Sequence, residues 1–118
     1  MGIFVQVIRA LADTSEALSA YEIHDKIISG DGKIDVVSVY RILVTLQQIG
    51  MIYHIGIVDG YFPCRLPEAT NCSEVIVCEK TNTVLELKIP QSIVETIQKQ
   101  VVDLGFKPSS IKIEIVGS

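Results

Sequence analysis

Apolar positions in the first half of the chain recur at helical spacing. Phe4, Val7, Ile8 and Leu11 share one face of a helix over Ile3 to Leu11, which Asp13, Thr14 and Ser15 break. Ser19-Ala20-Tyr21-Glu22 is a capping box, in which a serine hydroxyl and a glutamate answer the free N–H groups of a helix start. The helix it opens turns Ile23, Ile27 and Ile28 inward and stops at Gly30, before a loop over Gly30-Asp31-Gly32. A third helix runs from about Val36 to Ile49 with Val39, Ile42, Leu43, Leu46 and Ile49 inward, and Gly50 suits the position just past its end. The period then falls to two. Met51 to Ile57 and Tyr61 to Cys64 flank Asp59-Gly60, a hairpin turn signal. Three helices and a two-stranded ribbon make a winged helix-turn-helix.

Residues 65–73 are polar and turn-rich and read as a linker. Strands follow at Glu74 to Cys78 and Thr83 to Lys88, around a turn near Thr81-Asn82. Pro90 suits the first turn of a helix that packs Ile93, Ile97, Val101 and Leu104 inward and ends at Gly105. The last strand sets Ile111, Ile113 and Ile115 on one face and Lys112 and Glu114 on the other. The fold class is therefore α+β: a winged-helix domain over residues 1–65 and a small β-β-α-β domain over 66–118. Three strands and one helix cannot cover both faces of a sheet, so the second domain is expected to pair two copies of the chain as a homodimer.

Composition sharpens this picture. With 48% apolar residues, no tryptophan and 6% aromatics in 118 residues, the core must be aliphatic. The mean hydropathy of +0.41 points to apolar surface reserved for a partner. No apolar run approaches the roughly 20 residues that span a bilayer, and no signal peptide is visible, so a cytoplasmic protein with no membrane partner is expected. The net charge is −4, with five Lys/Arg against seven Asp/Glu in residues 1–65 and again in 66–118. That balance lends nucleic-acid binding no support.

The chemistry sits on the third helix. In a helix-turn-helix the second helix of the pair enters the major groove. With Val39, Leu43 and Leu46 inward, this one presents Val37, Arg41, Val44, Thr45 and Gln48, with Ser38 and Tyr40 on its flanks. Arg41 could reach a guanine edge or a phosphate, Tyr40 and Ser38 could hold phosphates, and Val37 could touch a thymine methyl. Val44 is an outward apolar residue that DNA does not need. Cys64, Cys72 and Cys78 show no C-x-x-C spacing and read as packing residues, and a catalytic cysteine–histidine pair has no spacing signature.

Ser38-Val39-Tyr40-Arg41, followed by Leu43, Leu46 and Gly50, resembles the "TVYR" recognition helix of the ferric uptake regulator family of metal-dependent repressors. The resemblance runs on through Asp59-Gly60, through Val77-Cys78 and Val84-Leu85-Glu86-Leu87 (similar to "IC-x-x-CGKVIEF"), and through the helix at 91–104 to Ile115-Val116-Gly117. It implies a homodimeric transcription regulator that binds double-stranded DNA and is not an enzyme, with contacts at Ser38, Tyr40 and Arg41. The metal chemistry carries over poorly. No histidine stands in Asn71-Cys72-Ser73-Glu74-Val75, Thr81 replaces the second cysteine, Ile111 replaces a histidine, and only Glu86 matches a ligand position. His24 and His54 are unlike the family's ligands. No cofactor is expected, and metal sensing is degraded or lost. One alternative is a zinc or iron site rebuilt from Cys64, Cys72 and Cys78. The other is a protein-interaction module that dimerises without reading DNA.

Overall fold

The computed structural model describes residues 2–66 and 74–118. The expected linker lies mostly outside them, and so does Cys72. Helix α1 spans Ile3–Ala12, α2 Ala20–Ser29 and α3 Val36–Gln48. The capping box forms in both directions: Ser19 Oγ accepts from the Glu22 amide at 3.1 Å, and Glu22 Oε1 accepts from the Ser19 amide at 3.0 Å. At the other end of the three-helix unit, Gly50 takes φ +80°, a left-handed conformation that releases the chain from α3 into the hairpin. Strands β1 (Ile52–Ile55) and β2 (Gly60–Pro63) pair antiparallel as the wing. Val7, Leu11, Ile23, Ile27, Val39, Ile42, Leu43 and Leu46 close one aliphatic core under Ile52 and Tyr61. Phe4 and Ile8, expected inward, are 44% and 40% exposed, and Ile28 and Ile49 are exposed too. A single layer of three short helices buries only a narrow stripe of each, so residues at the edge of the apolar arc stay wet.

The wing turn falls on residues 56–59, with Asp59 at φ 46°, and Gly60 opens β2. Gly60 is there for space as well as for turning. A Cβ on it would lie 2.8 Å from the Ala17 Cβ, because the segment before α2 runs against the wing. Leu18 and Tyr61 exchange both backbone hydrogen bonds, at 2.9 and 2.7 Å. The other edge of the same segment is held by the second lobe, where the Ala17 amide donates to Asn82 O and Ser15 O accepts from the Val84 amide. What reads as a helix break in the sequence is a stitched strip between two sheets.

The second sheet has the order β4-β3-β5, with β3 at Glu74–Cys78, β4 at Val84–Glu86 and β5 at Ile113–Gly117. β3 pairs antiparallel with β4 and parallel with β5, and α4 (Gln91–Asp103) makes the crossover. Register divides the sheet into two faces. Val75, Val77, Val84 and Val116 lie toward the wing and join Ala17, Tyr53, Ile55 and Phe62 in a second core. Ile76, Leu85 and Ile115 share a cross-strand row on the opposite face, where Leu85 is 62% exposed.

One expectation for this lobe is overturned, and one left open is decided. No residue of α4 is fully buried: Ile97 and Val101 are only half-buried within the single chain, and Ile93 and Leu104, expected inward, are exposed, Leu104 at 82%. On β5 the charged face meets the wing, with Lys112 Nζ donating to His54 O at 2.7 Å and Glu114 Oε1 accepting from the Gly56 amide at 2.9 Å. Its isoleucines face the open side. The reason is common to both: the wing already covers one face of the sheet, which leaves the other face and α4 without an apolar partner in one chain.

Candidate nucleic-acid interface

Helix α3 starts where Asp35 Oδ1 accepts from the Ser38 amide at 2.7 Å. The Ser38 amide, its hydroxyl and, more weakly, the positive charge of Arg41 hold the Asp35 carboxyl below its ordinary value. This cap sets the phase of the helix, and Val39, Ile42, Leu43 and Leu46 anchor it in the core. The remaining face is outward. Tyr40 is 40% exposed, Arg41 is exposed, and Val37 and Val44 stand open beside them. Ser38 is half-buried, in the same turn as the Asp35 carboxylate. The Thr45 hydroxyl bonds back to Arg41 O at 3.0 Å and so turns away from solvent partners.

An aromatic contact extends the face toward α2. The Tyr21 ring meets the Tyr40 ring edge-on, with centroids 6.3 Å apart and planes at 85°. On the wing, Tyr61 lies 4.9 Å from His54, whose Nε2 is 3.2 Å from Asp59 Oδ1. Burial, followed by the charges of Asp59 and Tyr40, pushes the Tyr61 hydroxyl up, so it stays a neutral donor. Tyr21 is 62% exposed and was not singled out in the sequence. Its signal was there: two residues past an N-cap, on a helix whose inward set begins at Ile23, an aromatic has no core to enter. His24 points elsewhere and bonds Ile34 O at 2.9 Å.

Glu86 lies behind the wing. It accepts from Tyr53 Oη at 2.8 Å, from the Arg65 amide at 2.8 and 3.0 Å, and from the Leu66 amide at 3.2 Å. Arg65 also sends Nη2 to Ala12 O and Thr14 O, at 2.9 and 2.7 Å, and rests its guanidinium 4.8 Å over the Phe62 ring. Burial first, then the bond to Glu86, drives the Tyr53 hydroxyl far up, so it remains a donor at every ordinary pH.

The order of these elements is that of a known family, and the model of the ferric uptake regulator family matches residues 5–116. The chain belongs to the ferric uptake regulator family. No curated protein sequence matches it significantly. Among solved structures it is similar to holo XcZur (24% identity, 99% of this chain and 81% of that one, TM-score 0.85). It is also similar to a zinc uptake regulator complexed with zinc and DNA (23% identity, 97% and 76%, TM-score 0.85). Against apo XcZur the TM-score is 0.53 at 26% identity, over 99% of this chain and 80% of that one. Sequence distance is nearly the same in all three, so the difference in fit is one of shape.

A family of this name implies a metal, and the residues described here do not fit one. Among them, no three histidine, cysteine or carboxylate groups come together. Both oxygens of Glu86 face N–H or O–H donors, the arrangement that suits an anion without a cation. Cys64 is disulfide-bonded, while Cys78 keeps a free thiol. Hydrogen bonds from the Thr81 hydroxyl and amide, then from the Lys80 amide, lower the Cys78 thiol. Thr81, which the family resemblance sets in place of a second cysteine, thus partners Cys78.

Proposed function

We propose that this chain is a transcription regulator that binds double-stranded DNA as a homodimer, with α3 in the major groove. The observation that carries this reading is the outward pair Tyr40 and Arg41 on a capped, core-anchored helix, continued by the exposed Tyr21 on α2. Arg41 is assigned to a base edge or phosphate, and Tyr40 and Ser38 to phosphates. Tyr40 is the stronger of these two, since Ser38 shares its turn with a carboxylate. The division into a winged-helix domain over 1–65 and a dimerisation domain over 66–118 supports the same reading. So does the uncovered apolar face of α4 and β5, which suits a second copy. No catalytic constellation is assigned. Among the described residues no helix is long and apolar enough to cross a membrane, and a cytoplasmic setting fits a DNA-binding role.

Metal sensing is inferred to be lost, because the ligand positions hold Ile111, Thr81 and a Glu86 already engaged by donors. The second reading, a dimerising interaction module, is favoured by Val37 and Val44, 55% and 45% exposed on the same face as Arg41. Selection of bound duplexes from a random pool at low salt separates the two. A regulator enriches a two-fold-related sequence and loses affinity steeply as salt rises, whereas an interaction module enriches none.

A further inference from the structure

We infer that Glu86 has become a positioning residue: the core of a permanent, metal-independent brace that fixes the winged helix on the dimerisation lobe. Three sets of contacts join the two lobes. Glu86, on β4, gathers one hydroxyl from the wing (Tyr53) and two amides from the chain leaving the wing (Arg65 and Leu66). On the far side of the same hairpin, β5 makes a second attachment through Lys112 to His54 O and Glu114 to the Gly56 amide. A third lies on the strip before α2, through Ala17 to Asn82 and Val84 to Ser15. Three attachments not in one line leave a rigid body no hinge axis, and between them lies a shared dry core of Ala17, Tyr53, Ile55, Phe62, Val75, Val77 and Val84.

The carboxylate is central because it stands on a strand of the second lobe while its partners all come from the wing and the chain leaving it. Backbone amides and a buried phenol cannot turn to water without leaving it, and charge-assisted bonds of this kind are about twice as strong as neutral ones. A ligand shifts an equilibrium only by binding one state better than another. Where the chain's own groups already close the junction, and the carboxylate already receives three donors, an added divalent ion has no open form to convert. The spacing of the recognition helices is then a fixed property of the polypeptide.

The inference rests on the proposed DNA-binding role only for its affinity measurement, so the test has two arms. Small-angle scattering of the full chain is recorded in chelator and again with excess zinc chloride. Affinity for the selected duplex is measured under the same two conditions. For the native chain, both are expected to be the same within about twofold or better with and without zinc. Glu86→Ala should extend the particle's maximum dimension and weaken DNA binding tenfold or more, with the salt slope unchanged because the phosphate contacts are untouched. Glu86→Gln, which keeps an acceptor oxygen, should restore most of both. If Glu86→Ala does not fold, Tyr53→Phe keeps the ring in the core, removes one bond from the carboxylate, and should open the junction partially. A native particle that contracts on zinc addition, or tenfold tighter DNA binding with zinc, overturns the brace. So does a Glu86→Ala scattering profile equal to that of the native chain. If scattering behaves as stated but no duplex binds under any condition, the brace stands and the DNA-binding role fails.

Discussion

At the scale of single residues, the proposed DNA contacts are Arg41 and Tyr40, and the two should fail differently. If Arg41 reads a base, Arg41→Ala costs roughly 1–3 kcal/mol and relaxes sequence choice at one position. If Tyr40 donates to a phosphate, Tyr40→Phe weakens all duplexes alike in the same titration. Asp35 gives a pH dependence with a definite sign. Its carboxyl is held below the ordinary 3.8, so the stabilisation is fully present above that value and is lost as pH falls through the lower folded one. Melting followed from pH 5 to pH 2 should show this loss in the native chain. The loss is expected to be smaller in Asp35→Asn, which still caps but does not titrate. Metal content belongs to this scale too. Protein purified without chelator is expected to hold no stoichiometric zinc or iron by elemental analysis, and one zinc per chain would return the cysteines to the ligand role.

Elements are held in phase by their ends and their close contacts. Ser19→Ala deletes the hydroxyl half of the capping box and should destabilise the protein by about 1 kcal/mol, read by urea unfolding. Gly60→Ala drives a methyl into Ala17, and overpacking of this kind costs about 1–3 kcal/mol. The same change pushes the strip before α2 off the wing, so amide exchange at Leu18 and Tyr61 should accelerate along with the loss of stability. The wing differs from a free hairpin because both its faces are occupied. Ile52 and Tyr61 cover the helices, while Tyr53, Ile55 and Phe62 cover the second sheet. Phe62→Ala should therefore cost about 3–5 kcal/mol.

For the whole molecule the governing fact is an unfinished core. Ile76, Leu85 and Ile115 form an apolar row on the open side of the sheet, and no residue of α4 is fully buried in its own chain. The double change Leu85→Glu with Ile115→Glu is expected to give a monomer in sedimentation velocity at micromolar concentration. A native chain that sediments only as monomer would contradict the assembly. Charge is also a property of the assembled fold. The chain carries −4, yet Arg9, Lys26 and Lys33, against the single carboxylate of Asp31, line one cleft of about 570 Å³ between α1 and the end of α2. An acidic total is therefore compatible with a locally basic surface on the DNA-binding lobe.

The sequence by itself determined the elements, their order and the family. Helical spacing, the Ser19 capping box, Gly50 past α3 and the four residues from Ser38 to Arg41 are all local, and local signals are written in neighbouring residues. Tertiary structure decided what each face meets. The period of β5 separated isoleucines from charges, but period alone cannot say which set turns toward the wing, and the charged set did. Spacing on α4 marked an apolar stripe without revealing that its cover lies outside the chain. Glu86 matched a ligand position in sequence and became a hydrogen-bond acceptor in space. Its partners stand 20 to 33 residues away in sequence, a distance over which no local pattern reports.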